Sequence, residues 1–296
     1  MASTFTYEDN ARREDLLDVI TNLDFKENQL MSGLKTSVAK DILHQWLTDT
    51  LKTVGFNNYV EAAEASYADR TDPARLLNYT QIVRVGFDVS DTERAVNQAG
   101  FNDRYAYETQ KALKEWKQDA EFSLVRATIV CGADATARQM RGIKDWFVAH
   151  NITSTSGVTI TETLLNDRLQ DVWDDGTEVN AIYTDMYLKR KISAFTAGAT
   201  KNVETTDRRL VNAVDVYEAD AARMVKLFAH RYVTISGDVN HDLLGINEDM
   251  FRIAYLRKPF VRELAKVGDS TRGEVVGELT LECLHQDAGF LQTKMS

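Results

Sequence analysis

The sequence predicts a mixed α+β protein, with helices in the middle of the chain and strands towards both ends. Three observations carry this. Residues 78–90, NYTQIVRVGFDVS, alternate apolar and polar side chains, the two-residue period of a half-buried strand. Residues 103–127, DRYAYETQKALKEWKQDAEFSLVRA, repeat apolar residues at three and four, the helical period. Beyond the helical middle, the runs VNAVDVYEAD, RMVKLFAH, RYVTIS, MFRIAYLRKPF and GEVVGELTLECLH read as successive strands.

Composition bounds what such a chain can be. Its 296 residues suffice for a sizeable core, and 44% apolar with 27% charged is ordinary for a water-soluble globular protein. No window approaches the ~20 consecutive apolar residues that span a bilayer. MASTFTYEDNARREDLL lacks the basic and apolar regions of a signal peptide, so a role inside a cell, or in something assembled there, is expected. Two cysteines, Cys131 and Cys283, make no disulfide framework and no CxxC pair; both are expected as small buried hydrophobes. A net charge of −10 argues against gripping nucleic acid over a broad surface, because that affinity rests on clustered Lys and Arg. Enclosing nucleic acid without gripping it is compatible with the same charge. With 2 prolines and 15 glycines there is no linker or low-complexity tract, and no internal repeat.

Taken in order, residues 1–35 are polar with a short amphipathic stretch at Leu16, Leu17, Val19, Ile20 and Leu23. That pattern suits a fraying helix or an arm that needs a partner. Residues 41–54, DILHQWLTDTLKTV, fit either a strand or a helix. In 78–90, Tyr79, Val83, Val85, Phe87 and Val89 fall on one side and Thr80, Arg84, Asp88 and Ser90 on the other. Between them, residues 55–77 lack periodicity and carry Glu61, Glu64, Asp69, Arg70, Asp72 and Arg75. A structureless stretch that long is uncommon in a compact domain; a long hairpin reaching away from the body and a surface loop both account for it.

In 103–127 the stripe is Leu113, Trp116, Ala120, Leu124 and Ala127, with Lys111–Glu115 and Lys117–Glu121 as i,i+4 pairs. About 24 residues at 1.5 Å each extend ~36 Å, a spine-like element. A second helix is predicted over 160–174, with Thr159 and Glu162 as a capping box and Gly176 as its stop. Its stripe is Ile160, Leu164, Leu165, Leu169, Val172 and Trp173. NAIYTD (180–185) then reads as a short strand, followed by a helix ending near Gly198.

The candidate chemistry is concentrated in LECLHQDAGF (281–290), where Cys283, His285 and Asp287 occupy every second position. Leu279, Leu281, Cys283 and His285 share one face of a strand, so Cys283 continues an apolar face. A closed metal site needs three or four convergent ligands. The other histidines, His44, His150, His230 and His241, occur singly, with no HxH or HExxH. A core strand near its end is the reading, and no metal, cofactor or catalytic residue is expected. GATKNVETTD (198–207) lacks the second glycine and Lys-Ser/Thr pair of a phosphate loop. KRK (189–191) reads as a solvated helix face, and Asp174/Asp175 as solvating a helix end. What remains are surfaces: an arm, an excursion and a long helix, each of which makes sense in a protomer stabilised by neighbours.

The order of these parts resembles the major capsid proteins of tailed bacteriophages with the Hong Kong 97 type fold. The resemblance rests on REDLLDVI, HQWLTDTL, NYTQIVRVGFDVSDTERAV, YETQKALKEWKQDAE, LLNDRLQDVWDDG, SAFTAGATKN, VDVYEAD and AYLRKPFVRELAKVGDSTRGEVVGELTLE, in that order over nearly the whole chain. It implies an N-terminal arm at 1–40, an extended β-hairpin loop at 41–90, and a peripheral domain at 91–134 containing the spine helix 103–127. It further implies an axial domain at 135–255 and peripheral-domain strands at 256–296. The implied function is a structural, non-enzymatic subunit that self-assembles as hexamers and pentamers into an icosahedral head enclosing double-stranded DNA without sequence-specific binding. The implied location is the virion, assembled in the bacterial host cytoplasm, with no membrane partner. On this reading Glu61, Glu64, Asp69, Arg70 and Arg75 contact neighbouring subunits.

Portal and decoration proteins are the further partners the resemblance implies. Some relatives fuse a scaffolding segment ahead of the arm; this chain shows no coiled-coil or charge-rich prefix, so scaffolding is expected from a separate protein. The Lys–Asn–Glu arrangement of cross-linking relatives is not found, so no cross-link is expected. Two alternatives stand beside this reading. One is a cellular nanocompartment shell of the same fold; the other is a metal- or thiol-dependent enzyme using Cys283, His285 and one remote histidine.

Overall fold

The computed structural model describes residues 28–52, 54–64, 67, 70, 72–96, 103–155, 157–195, 216–218, 224–234, 240–266 and 268–296. The amphipathic stretch at Leu16–Leu23, the loop 198–207 and Asp69 lie outside the described residues.

The first elements are α1 (Gln29–Gly33), β1 (Lys35–Val38), β2 (Leu43–Thr48), β3 (Ala74–Tyr79), β4 (Gln81–Ser90), α2 (Asp91–Ala95) and α3 (Arg104–Arg126). Next come α4 (Ile143–Trp146), β5 (Ile152–Ser154), α5 (Glu162–Asp174), β6 (Ala181–Thr184) and α6 (Met186–Ser193). The rest is β7 (Val216–Glu218), β8 (Met224–Ala229), β9 (His241–Ile246), β10 (Phe251–Leu264), β11 (Ser270–Cys283) and β12 (Gly289–Met295). The strands form sheets ordered β1-β10-β11-β4, β5-β12-β9-β6-β8-β7 and β2-β3. The α+β class expected from the sequence is the class observed.

The chain divides into two compact units. The smaller takes residues 84–116 and 260–276 of the described chain. Here Gly273 is required by crowding: a Cβ would stand 2.4 Å from the Phe87 ring and 2.7 Å from the Tyr105 hydroxyl. Those two rings pack 5.2 Å apart. Asp91 accepts from the Thr271 hydroxyl and the Lys266 ammonium, each at 2.8 Å, which holds α2 to the start of β11.

The larger unit takes residues 27–83, 117–259 and 277–296. In it α5 and α6 cover the six-stranded sheet with Leu165, Leu169, Val172, Leu188 and Ile192, against Ile182, Val225, Leu227, Leu243 and Phe290. The sheet is mixed: β12 runs parallel to β5 and antiparallel to β9, and β6 runs antiparallel to β9 and parallel to β8. Helix α5 stops where expected, because Gly176 follows its last turn at φ +89°, a conformation cheap only for glycine.

Several sequence expectations are corrected by packing. The α5 cap is Thr161, whose hydroxyl accepts from the Leu164 N–H at 3.3 Å; Thr159 lies outside the helix. Trp173, expected in its apolar stripe, is exposed. Helix α6 ends at Ser193, before Gly198, and RYVTIS begins as a turn at Arg231–Val233. Residues 43–48 settle as strand, pairing β3. The alternating run 78–90 is two strands broken at Thr80, because the chain leaves its pairing with β2 and joins the sheet of β11. Thr80, expected on the polar side, is fully buried at that junction.

In α3 the buried line is Ala112, Trp116, Ala120 and Leu124, continued by Ala127 just past its end, with Leu113 only partly covered. Glu121, expected to pair with Lys117, is buried in that face. Its two carboxylate oxygens accept the N–H groups of Leu30 (2.7 Å) and Met31 (2.8 Å), with the His230 ring at 2.9 Å. A carboxylate distant in sequence thus caps the first turn of α1.

Candidate assembly interface

The excursion begins as a short antiparallel ladder. β2 and β3 pair in six steps, from Leu43↔Tyr79 to Thr48↔Ala74. Period two puts His44 and Trp46 on one face of β2, so both reach in the same direction.

Each strand is fastened at its base to other residues of the larger unit. Asn78 is fully buried; its amide donates to the carbonyls of Leu281 (2.8 Å) and Arg141 (3.1 Å) and accepts the Arg141 N–H at 2.7 Å. The Trp46 indole donates to the Cys283 carbonyl at 2.8 Å, with its ring 5.6 Å from Trp146. His44 Nε2 lies 2.5 Å from Glu282 Oε1. Thr80 donates its hydroxyl to Glu278 Oε1 at 2.7 Å, and its carbonyl accepts from Arg138 Nε at 2.7 Å.

Glu278 is the electrostatic centre of that base. Burial alone would raise its carboxyl, but hydrogen bonds from Thr80, Arg138 and Arg257, together with the Arg138 charge, hold it below the usual range. Arg138 pairs with Oε1, while Arg257 Nε reaches Oε2 at 3.0 Å. A buried carboxylate with this many donors is positioned rigidly, and stripping one donor away leaves charge uncompensated.

The far end of the excursion is the opposite. Between Thr48 and Ala74 the described residues form no helix or strand, only a turn at Glu61–Ala62 closed by Ala63 N–H to the Val60 carbonyl at 3.1 Å. Leu51, Val54, Phe56 and Tyr67 are each at least 95% exposed, and Val60 is 82% exposed. Large apolar side chains this exposed are what an interaction surface presents. Burying each would contribute about 1.5–3 kcal/mol before ordering costs.

Of the charged residues expected here, Glu61 sits in the turn, and Glu64 and Arg70 are exposed. Arg75 lies on β3 opposite Leu47 and reaches Gln45 Oε1 at 3.5 Å. Sequence reasoning singled out the charges and passed over the apolar residues interleaved with them. Their signal was available as large apolar residues scattered without period through a stretch that forms no core.

LECLHQDAGF is no nucleophile–base pair. Cys283 is buried at the end of β11, its thiol donates to the His285 carbonyl at 3.1 Å, and burial pushes it up to about 12. A reactive thiol needs the opposite shift. His285 and Asp287 lie beyond the strand, with His285 Nδ1 accepting the Asp287 N–H at 3.1 Å. Cys131, expected buried, is exposed in the loop after α3. Among the described residues no helix is long and apolar enough to cross a membrane.

A curated major capsid protein of Escherichia phage Phieco32 is 27% identical over 121 residues, 40% of this chain and 34% of that protein. The chain thus matches about a third of that relative's length. Similar solved structures include the holo-SrpI encapsulin complex of Synechococcus elongatus (TM-score 0.65, 13% identity, 100% of this chain and 97% of that one). Another, from Gordonia phage Cozz, has TM-score 0.66 and 14% identity over 97% of this chain and 92% of its own. The capsid of Myoviridae phage XM1 gives 0.63 and 10% over 95% and 96%. These likenesses carry the fold, and it is the Hong Kong 97 type capsid fold expected from the sequence. The model of the SU10 major capsid protein family matches residues 2–295, and the chain belongs to that family of phage major capsid proteins.

Proposed function

We propose that this major capsid protein assembles as hexamers and pentamers into an icosahedral head around double-stranded DNA, and that it performs no catalytic step. The observation that carries the reading is the excursion, firmly fastened at its base and apolar at its tip. A subunit that displays Leu51, Val54, Phe56, Val60 and Tyr67 to solvent gains stability by laying them on a neighbour, so folding and assembly share free energy. Head-to-tail contacts of this kind close into rings. Residues 41–90 then serve as the extended loop, 1–40 as the arm, 91–134 and 256–296 as the peripheral domain, and 135–255 as the axial domain. Glu61, Glu64, Asp69, Arg70 and Arg75 tune the loop's contact at its polar margin. A net charge of −10 keeps the inner wall from adhering to packaged DNA.

The test replaces residues 50–72 by a short Gly-Ser turn joining β2 to β3. Folded subunits that no longer form stable shells under electron microscopy are expected; normal shells would overturn the role of the loop. The structural likeness to an encapsulin favours a second reading, a cellular nanocompartment shell. Particles holding nuclease-protected double-stranded DNA support the phage head, whereas particles filled with a cargo enzyme support the nanocompartment.

A further inference from the structure

Helices α5 and α6 lie on the same face of the six-stranded sheet, and their outward surfaces carry opposite charge. On α5, Asp167, Asp171 and Asp174 follow at steps of four and three, so they share one exposed stripe. Asp171 takes the Arg168 guanidinium at 2.7 Å, whereas Asp167 and Asp174 meet no cation among the described residues. Asp174 ends the helix at the negative pole of its macrodipole, where a carboxylate is unfavourable unless a cation approaches. Its neighbour Asp175 has His150 at 3.1 Å. Beside them Trp173 is 53% exposed.

On α6 the exposed residues include Tyr187, Arg190 and Lys191. The Tyr187 ring stacks on His241 with centroids 4.3 Å apart, which fixes it as a platform, and Lys191 Nζ lies 5.3 Å from its centroid. Neither Arg190 nor Lys191 meets a carboxylate among the described residues. Within one chain no ion pair among those residues joins the cations of α6 to the aspartates of α5.

We propose that the cationic face of α6, Arg190 and Lys191 beside Tyr187, docks on the acidic stripe and Trp173 of α5 in a second copy of this chain. This rests on the reading of the chain as a shell subunit and names a contact separate from the excursion. Charge complementarity selects the partner: α5 of another copy offers unpaired aspartates to the two unpaired cations, and an exposed indole to the guanidinium. DNA fits less well. Phosphate binding needs many clustered cations, and the α5 aspartates on the same face would repel it. Each chain carries one stripe of each kind, so head-to-tail pairing leaves every copy a second stripe for a further copy, the arrangement that closes into rings. Wrong registers set like charges together and are disfavoured.

The experiment compares assembly of the full chain with three charge variants: Arg190→Glu with Lys191→Glu, Asp167→Lys with Asp174→Lys, and all four together. These positions are exposed, and melting of free subunits checks that each variant folds like the parent. Either pair alone should raise the concentration needed for particles about tenfold or more, and the four-site variant should return it towards the parent. Particles from both two-site variants at the parental concentration would overturn the contact and leave the shell reading intact. A four-site variant no better than its parts would overturn it as well. Lower DNA content in the α6 variant, with assembly unchanged, would assign that face to DNA instead. A parent that forms no particles at any concentration would overturn the shell reading together with the contact.

Discussion

Trp46 donates its indole N–H to the carbonyl oxygen of Cys283 at 2.8 Å, joining the outgoing strand of the excursion to the end of the returning strand β11. Replacing Trp46 by Phe keeps an aromatic ring beside Trp146 and removes only the donor. The expected cost is about 1 kcal/mol in denaturant melting of free subunits. A loss near zero would show that the ring, and not the hydrogen bond, fastens β2.

Asn78→Ala should be more severe. It strips a fully buried side chain that satisfies the Arg141 N–H and the Leu281 and Arg141 carbonyls. About 2–4 kcal/mol is expected, because the Arg141 N–H and the Leu281 carbonyl lose this partner away from water, while the Arg141 carbonyl keeps the Trp146 indole at 3.2 Å. Asn78→Asp tests the same point from the other side, since it keeps the acceptor for Arg141 N–H and turns both carbonyl contacts repulsive.

Glu121→Ala leaves the Leu30 and Met31 N–H groups without their shared acceptor. The expected loss is about 3 kcal/mol or more, accompanied by protease cleavage near residues 28–34. Glu121→Gln, which keeps one acceptor oxygen, should fall between. Unchanged proteolysis in the Ala variant would show that α1 is held by other contacts.

The depressed Glu278 carboxyl makes a directional pH prediction. A group whose folded value lies below its unfolded value contributes stability above the unfolded value, about pH 4.3 for glutamate. That contribution is lost as pH falls through the lower folded value. Glu278→Gln should therefore lower Tm near neutrality and show a shallower fall below about pH 4.3 than the parent. Parallel acid curves for the two proteins would contradict the assignment.

Thiol counting separates the two cysteines. Native protein should react quickly at one thiol, the exposed Cys131, and Cys131→Ala should abolish that fast phase. Cys283, buried with its thiol pushed up to about 12, should react only after denaturation. Fast labelling at Cys283 would mean that the end of β11 opens.

Period was the legible part of this protein. α3 and β4 were readable because each presents one face to a core over many residues, so burial prints itself on the sequence at three-to-four or at two. β11 was readable as apolar, yet its burial on both faces, including Glu274, Glu278 and Glu282, was not. Those carboxylates look solvated in one dimension, because the arginines and histidine that satisfy them come from distant segments. Glu121 misled for the same reason: Lys117 is its neighbour in sequence, but Leu30, Met31 and His230 are its neighbours in space. Of the assembly surface, the excursion's length was legible, and its fastening through Asn78 and Trp46 was not.

The fastening has a mechanical consequence. Tension on residues 49–73 along the hairpin pulls both strands the same way, so the rungs between β2 and β3 are little stressed. The strain passes instead to the side-chain bolts at Trp46, Asn78 and Thr80, which oppose sliding of the hairpin past β11. On the proposed assembly, in which the apolar tip lies on a neighbouring subunit, a loaded shell would give way first at that tip and last at this seam.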